Sequence, residues 1–405
     1  MIGWRDTVLG DEIELAYGKA LPAHSRRPGN YGVYGSNGQV GVHDEPLIKG
    51  PGIVVGRKGS VGALAYTVEP FWPIDTTYYV VDKGDHNWRY LYYLLGSCGL
   101  TGLNSHSAVP GLNREDVYSI AVRIPPRDVQ DDIARVLDCV SDAIELERIA
   151  LSNGEELLRA VAGELFTRGL RGEPVKETAL GPLPESWSVV DFADVREWLQ
   201  YGTSVHCTLE ERGYPVLRIP NIKTGHVDPS ELKYADLREV DAVRYLLRQG
   251  DLLFIRTNGV LERLGACAVY QDEPAEALFA SYLIRARLKD FVDPRYVAYF
   301  YGSPVGSAMV AGRATPAADG KYNLNTGTID GLRLPLPPTK EEQEEIVSVF
   351  ESVDHKINLH RSRLRVLEEL LLVMTRQMVF EEVSLGELDL SVLPAMEVKL
   401  EEATV

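Results

Sequence analysis

Two stretches of helical periodicity, half a chain apart, limit what this protein can fold into more than any other feature. The first follows Ile124-Pro125-Pro126 and sets apolar residues at Ile133, Val136, Leu137, Val140 and Ile144, then at Leu157, Leu158, Val161, Leu165 and Phe166. The second follows Leu336-Pro337-Pro338 and sets them at Ile346, Val349, Phe350, Val353 and Ile357, then at Leu364, Leu367, Leu370, Leu371, Met374 and Met378. Steps of three and four keep each set on one helix face. Roughly 40 residues at about 1.5 Å each make a rod of about 60 Å. Thr339-x2-Glu342 has the pattern of a capping box at the second start. Asn153-Gly154 interrupts the first stripe, where glycine costs about 1 kcal/mol relative to alanine and invites a kink. Stripes this long need cover, first from each other and then from partner helices.

The segments before the two rods repeat each other. Trp4 opens one and Trp187 the other; Tyr31-x-Val33, Asn37, Gly41 and Asp44 are answered by Tyr214-x-Val216, Asn221, Gly225 and Asp228. The runs Ile53-Val54-Val55-Gly56-Arg57-Lys58-Gly59 and Leu252-Leu253-Phe254-Ile255-Arg256-Thr257-Asn258-Gly259 both read as buried strands emptying into glycine turns. Arg89-Tyr90-x2-Tyr93 matches Arg295-Tyr296-x2-Tyr299, with tyrosines spaced for the buried face of a short helix, and Leu112-Asn113 matches Leu324-Asn325. Alternation at Ile120, Val122 and Ile124, and at Leu332, Leu334 and Leu336, predicts a last strand before each proline pair. The offset between copies rises without reversal from 183 to 213, as loop insertions in a tandem duplication produce. The expected order is a domain over 1–125, a helix over 126–172, a Gly- and Pro-rich linker over 173–186, a second domain over 187–337, a second helix over 338–382 and an acidic tail over 383–405.

A net charge of −17 argues against a nucleic-acid partner until it is divided by region. Residues 1–125 carry 11 basic and 12 acidic side chains, and 186–337 carry 17 and 19, so the rods, linker and tail hold most of the excess. The two domains are close to neutral and keep room for local basic faces. No apolar run approaches the roughly 18 residues of a membrane span, and the start has no signal-peptide pattern. The cysteines at 98, 139, 207 and 267 form no CxxC pair, which fits reduced thiols in the cytoplasm.

With its proline-started rods, the Leu165-Phe166-Thr167 helix end, the linker Gly181-Pro182-Leu183-Pro184-Glu185-Ser186-Trp187 and the strand Gly250-Asp251-Leu252-Leu253-Phe254-Ile255-Arg256, the chain resembles the specificity (S) subunit of type I restriction-modification systems over roughly residues 1–382. The resemblance implies a mixed α/β fold. Two tandem target recognition domains would alternate with two long helices forming an antiparallel coiled coil, related by a pseudo-two-fold internal repeat. It implies a non-catalytic subunit reading a bipartite target in double-stranded DNA, one half-site per domain. Two methyltransferase (M) subunits dock on the helices of such a protein and restriction (R) subunits join them. No cofactor is expected on this chain, S-adenosylmethionine belonging to the methyltransferase partner.

Candidate DNA contacts follow from side-chain chemistry. Arg57 and Lys58, and Arg256, sit beside glycine turns where a guanidinium can reach base edges; a bidentate arginine–guanine pair discriminates by about 1–3 kcal/mol. Asn37, Asn221 and Asn258 carry amides that suit adenine, or serve their own turns. Arg218, Lys223, Lys19, Arg26 and Arg27 suit phosphates, which orient without specifying. Lys321, which follows Asp319-Gly320 at the end of the loop from Gly312, and His106 occupy matching loops of the two halves. The helix or partner interface is expected at Ile133, Val136, Leu137, Val140, Leu158 and Leu165, and at Ile346, Val349, Phe350, Val353, Leu371 and Met374.

Enzyme signatures are missing. Gly312 to Lys321 has the wrong spacing for a phosphate loop and puts Tyr322 where Ser or Thr is needed. His355 and His360 do not share a helix face, and the Asn-Pro-Pro-aromatic tetrad of a DNA amino-methyltransferase is absent. The rivals are a coiled-coil scaffold without DNA specificity, which the acidic rods favour, and an enzyme whose site carries no familiar motif.

Overall fold

Each domain pairs its first strand with its last. A computed structural model describes residues 3–103 and 111–380. In the first half come β1 (Arg5–Val8), β2 (Ile13–Tyr17), β3 (Tyr31–Gly35), β4 (Gly38–His43), β5 (Gly52–Gly56), β6 (Leu64–Thr67), β7 (Phe71–Pro73) and β8 (Thr77–Asp82). Helices α1 (Trp88–Ser97) and α2 (Arg114–Tyr118), strand β9 (Ala121–Ile124) and the long helix α3 (Arg127–Arg168) complete it. The second half opens with β10 (Val175–Thr178), β11 (Gly181–Pro184), β12 (Ser188–Asp191), β13 (Arg196–Tyr201), β14 (Tyr214–Leu217), β15 (Gly225–His226) and β16 (Lys233–Ala235). It continues through β17 (Leu252–Ile255), β18 (Thr257–Asn258), β19 (Cys267–Val269), β20 (Leu278–Phe279) and β21 (Leu283–Leu288) to helices α4 (Pro294–Gly302) and α5 (Pro304–Ala311). Strands β22 (Thr315–Pro316) and β23 (Tyr322–Asn323), helix α6 (Thr326–Asp330), strand β24 (Arg333–Leu336) and the second long helix α7 (Lys340–Phe380) end it. β1 runs antiparallel to β9, and β12 to β24, so each domain closes on itself just before its proline pair.

The duplication extends to strand order. The first domain has a sheet β2-β8-β5-β6 and the second β13-β21-β17-β19, antiparallel throughout, with β15 added in parallel at the edge. Beside them lie β4-β3-β7 and β16-β14-β20, each with one antiparallel and one parallel pair. One part of the sequence match fails. Gly38–His43 pairs with β3, but the strand that pairs with β14 in that way is Lys233–Ala235, not the segment at Gly225. Asn37-Gly41-Asp44 and Asn221-Gly225-Asp228 therefore stand in different structures, because the second domain's added chain follows β14 and redirects Gly225–His226 to the larger sheet.

The chain divides into two units, Met1–Ile149 with Arg361–Val405 and Ala150–His360. Each takes one domain and a stretch of both long helices. In the first unit Ile133, Ala134, Val136, Leu137, Met378 and Val379 are buried in one core with Tyr90, Leu94 and Ile124. Leu371 and Met374 are half-buried against it, and Val140 is half-buried on the same helix. Arg148 reaches Glu368 at 2.8 Å, so later residues of α3 face earlier residues of α7. In the second unit Ala162, Leu165, Phe166, Ile346, Val347 and Phe350 join Trp187 and Tyr296, with Leu158 and Val349 packed alongside; Val353 is half-buried. Phe166 stacks on Phe350 at 5.3 Å and Arg171 meets Glu345 at 2.7 Å. The pair is antiparallel here too. Asn153-Gly154, where glycine invites a kink, does not interrupt the helix, for α3 runs through this point. A Cβ on Gly154 would stand 2.9 Å from Ile357 Cγ1, so the missing side chain lets the helices approach.

Helix and domain are joined by the same device in both units. Gln130, in the first turn of α3, accepts the backbone N–H of Asn87 at 2.9 Å and donates to Pro125 O at 2.9 Å. Gln343, in the first turn of α7, accepts the N–H of Asp293 at 2.8 Å and donates to Phe291 O at 3.2 Å. Asn87 and Asp293 cap α1 and α4 with their own side chains. The paired tyrosines complete the join: Tyr93 donates to Asp138 at 2.6 Å and Tyr299 to Asp354 at 2.7 Å. Tyr90 and Tyr296 donate to Arg123 O and Pro335 O, at the last strands.

The stretch read as a linker is ordered. β10 and β11 form a hairpin, Gly181 takes φ +93° in its turn, and Leu183 and Trp187 are buried in the second core. The expected tail over 383–405 lies outside the described residues.

Two stability experiments follow. Gln343→Leu keeps the bulk but leaves the Asp293 N–H buried without an acceptor; the expected loss is about 1–3 kcal/mol in chemical denaturation. Glu12 is buried and accepts from Arg5 at 2.7 and 2.8 Å, from Thr7 at 2.8 Å and lies 3.0 Å from His86. Burial pushes its carboxyl up, but the bonds from Arg5 and Thr7 outweigh it and the group ends below the ordinary value of 4.5. A depressed carboxyl stabilises above its unfolded pKa and stops doing so as pH falls through its folded one. Glu12→Gln is therefore expected to lower the melting temperature more at pH 7 than below pH 4.

Candidate nucleic-acid interface

The edge strand that opens each larger sheet, β2 and β13, ends at a glycine. Leu15-Ala16-Tyr17-Gly18 ends β2 and Leu199-Gln200-Tyr201-Gly202 ends β13. A Cβ on Gly18 would lie 2.1 Å from Ile74 O, and one on Gly202 2.2 Å from Ala280 O, so only glycine admits the neighbouring chain. The tyrosine before each glycine is left on the surface, Tyr17 at 53% and Tyr201 at 40% exposure. Onto these rings come the candidate arginines. Arg57 lies 5.3 Å from the Tyr17 centroid and Arg256 4.9 Å from that of Tyr201.

The backbone around the two arginines is held alike. Arg57 N donates to Thr76 O at 3.0 Å and Arg256 N to Tyr282 O at 3.1 Å. Leu112 N returns to Arg57 O at 2.9 Å, and Leu324 N to Arg256 O at 2.8 Å. Leu112-Asn113 and Leu324-Asn325 thus do two jobs, since each asparagine also caps the short helix that follows it.

In the first domain the strand ends gather Arg57, exposed Lys58 and exposed Asn37, whose Oδ1 is 3.5 Å from Ser60 Oγ in the Arg57 turn. Arg114, which sequence reasoning missed, places its guanidinium 4.8 Å from the Tyr17 centroid. Its tyrosine partner was legible as the repeated Leu-x-Tyr-Gly. Lys19 follows Gly18 and lies 5.8 Å from the Trp72 ring. Arg26 and Arg27 are otherwise engaged: Arg26 donates to Leu21 O and Val40 O, and Arg27 meets Asp44 at 2.7 Å and Glu45 at 3.2 Å. The Asp44 carboxyl is held below its usual value, first by the Arg27 hydrogen bond. His106 lies outside the described residues.

In the second domain β18 and β23 pair Asn258 with Tyr322, which brings Lys321 within one register position of Asn258. Asn258 Oδ1 accepts from Val260 N at 2.9 Å, the bond of an asparagine turn. Lys321 sits 3.0 Å from Asp319, whose hydrogen bond and charge raise the ammonium's pKa. Asn221 does not join this surface. It is buried, and its amide is spent on Arg218 N, Asp228 O and Ser230 O at 2.8–3.0 Å, which is loop architecture rather than a readable edge. Arg218 donates to Glu231 O at 2.6 Å, and Lys223 stands 3.4 Å from Asp228.

The distribution of compensation is informative. Arg27, Lys223 and Lys321 each face a carboxylate. Arg57, Arg114 and Arg256 instead donate to the carbonyls of Asp75, Leu15 and Ser281, and among the described residues no carboxylate pairs with any of them. Unneutralised arginines beside exposed aromatic rings suit an anionic, acceptor-rich partner. Among the described residues no cluster of ligating side chains suits a metal ion, and no helix is long and apolar enough to cross a membrane.

Comparison with known proteins agrees with the duplicated plan. The family model described as the type I restriction modification DNA specificity domain matches residues 1–154 and 184–369. The EcoKI specificity subunit of Escherichia coli (strain K12), a type I restriction enzyme component, is 26% identical over 291 residues, covering 67% of this chain and 60% of that protein. The putative type I restriction enzyme MjaX specificity subunit of Methanocaldococcus jannaschii is 28% identical over 228 residues, covering 55% and 53%. The matches thus span between half and two thirds of these relatives' own length. The crystal structure of a type I restriction-modification S subunit from M. genitalium shares the fold with a TM-score of 0.62 at 15% identity, over 94% of this chain and 97% of that one.

The contrast between the two asparagines is testable. Asn221→Ala removes an amide that satisfies three backbone groups and is expected to cost about 1–3 kcal/mol in denaturation. Asn37→Ala, on the surface, should stay within about 0.5 kcal/mol.

Proposed function

The chain belongs to the type I restriction-modification DNA specificity family, and from that membership we propose that it selects the DNA target of a modification complex. Each domain reads one half of a bipartite sequence in double-stranded DNA. The long helices dock two methyltransferase subunits, and restriction subunits join that core when present. The chain performs no chemistry. S-adenosylmethionine binds the methyltransferase partner, which extrudes and methylates the base, because a base inside a duplex is out of reach of a transferase site. The assembly works in the cytoplasm.

The observation that carries this reading is the repeated arginine at the end of the central strand, without a carboxylate partner in both domains, whereas Arg27 and Lys321 are paired with carboxylates. Cations satisfied by their own carboxylates have less to offer a phosphate or a base edge. Two similar surfaces on different sequences also allow the half-sites to differ, which one surface used twice by symmetry would not. The remaining residues take subordinate roles: Lys58, Lys19 and Arg218 orient the duplex, with a weaker part for Lys223 and Lys321, which face Asp228 and Asp319, and Asn37 and Asn258 adjust readout. Leu146, Val366, Leu370, Leu372 and Val373 in the first unit are exposed on the helices and offer apolar area to partner subunits.

The test is to co-express the chain with methyltransferase and restriction genes that neighbour its own and map methylation in host DNA. A split motif methylated on both strands, and lost when this chain is deleted, is the expected result. Replacing residues 1–125 by another domain of the family should then change one half of the motif and leave the other. Methylation that persists after deletion favours the scaffold reading.

A further inference from the structure

A guanidinium has two kinds of surface, and the two domains use them in the same way. Its faces stack on aromatic rings, and its edge carries five N–H donors. In Arg57 and Arg256 the tyrosine ring takes the stacking contact while a single edge nitrogen is tied down, Arg57 Nη2 on Asp75 O at 2.7 Å and Arg256 Nη1 on Ser281 O at 3.1 Å. The buried Nε of each has no hydrogen-bond partner. One stacking contact and one hydrogen bond restrict the side chain's rotation yet leave donors on the edge. That is the state in which an arginine pairs bidentately with a guanine at the smallest cost in ordering.

Resting on the DNA-reading function above, we propose that Tyr17 and Tyr201 are positioning residues that hold Arg57 and Arg256 for guanine in their respective half-sites. Arg114 adds a phosphate contact to the first half-site alone. The equivalence is carried by matching bonds. Both tyrosines precede a glycine packed on the next chain segment, and both arginines accept a leucine N–H from the segment that caps a short helix. The difference is carried by the residue after that cap. In the first domain it is Arg114, stacked on Tyr17 at 4.8 Å. In the second it is Thr326, whose backbone N–H donates to the Tyr201 hydroxyl at 3.2 Å and brings no charge. The first surface has two guanidinium groups over its ring and the second has one.

The experiment uses the full chain in complex with its methyltransferase subunits and duplexes in which each position of the mapped motif is varied, at several salt concentrations. Arg57→Lys is expected to lose about 5- to 150-fold of discrimination at one guanine of the first half-site, and Arg256→Lys the same in the second. Tyr17→Leu should reproduce the Arg57→Lys pattern, Tyr201→Leu the Arg256→Lys pattern, and the Phe variants should restore both. Arg114→Gln should lower the slope of log affinity against log salt by about 0.9 without changing the preferred sequence. Melting of each complex shows whether a variant is folded, and the Phe variants serve where a Leu variant is not. Lysine variants that keep full discrimination, or Leu and Phe variants that behave alike, overturn the proposal while leaving the family reading intact. An unsubstituted complex with no sequence preference overturns the family reading itself.

Discussion

Two buried glutamine side chains hold the architecture to its plan. Gln130 and Gln343 each accept the N–H of a capping residue in a recognition domain, and they donate to Pro125 O at the entry of the first long helix and to Phe291 O in the second domain. A buried amide is costly unless both its ends are satisfied, so each glutamine demands one relation between the start of the rod and the domain before it. The tyrosine-to-aspartate bonds about two and three turns further along repeat the demand. With the start of the rod fixed, the last strand, the proline pair and the first helical turn can only follow in one direction.

Much of this was legible in the residues. The proline pairs, the apolar stripes and the drifting offset gave two rods and two related domains, and the strand orders repeat accordingly. What sequence could not supply was the job of individual polar groups. Gln130 and Gln343 stand in the first turns of the long helices, and nothing in a single sequence says that such a polar side chain is surrounded. Tyr17 and Tyr201 were visible in a repeated four-residue pattern, but a tyrosine at a strand end is ordinarily core. Asn221 was placed with Asn37 on spacing alone. The added chain after β14 gave it a buried role, which only the hydrogen bonds reveal.

The linker shows the same limit from the other side. Glycine and proline at high density read as slack, yet here they make a hairpin in which Leu183 is buried beside Trp187. Glu173 accepts from Ser186 N and Oγ, and Lys176 donates to Glu185 O, so both strands of the hairpin are tied at their open end. Turn chemistry and flexibility draw on the same residues, and tertiary contacts decide between them.

Gly154 also has a mechanical meaning. Where the backbone of α3 faces Ile357 without a side chain between, the helices rest on a hard stop, since neither a peptide backbone nor a buried isoleucine stem has much room to yield. Nearby positions carry Leu157 and Leu359, half in water and free to change rotamer. Bending strain in this stretch of the pair will be taken up at such cushioned levels, and the glycine level will act as the fulcrum.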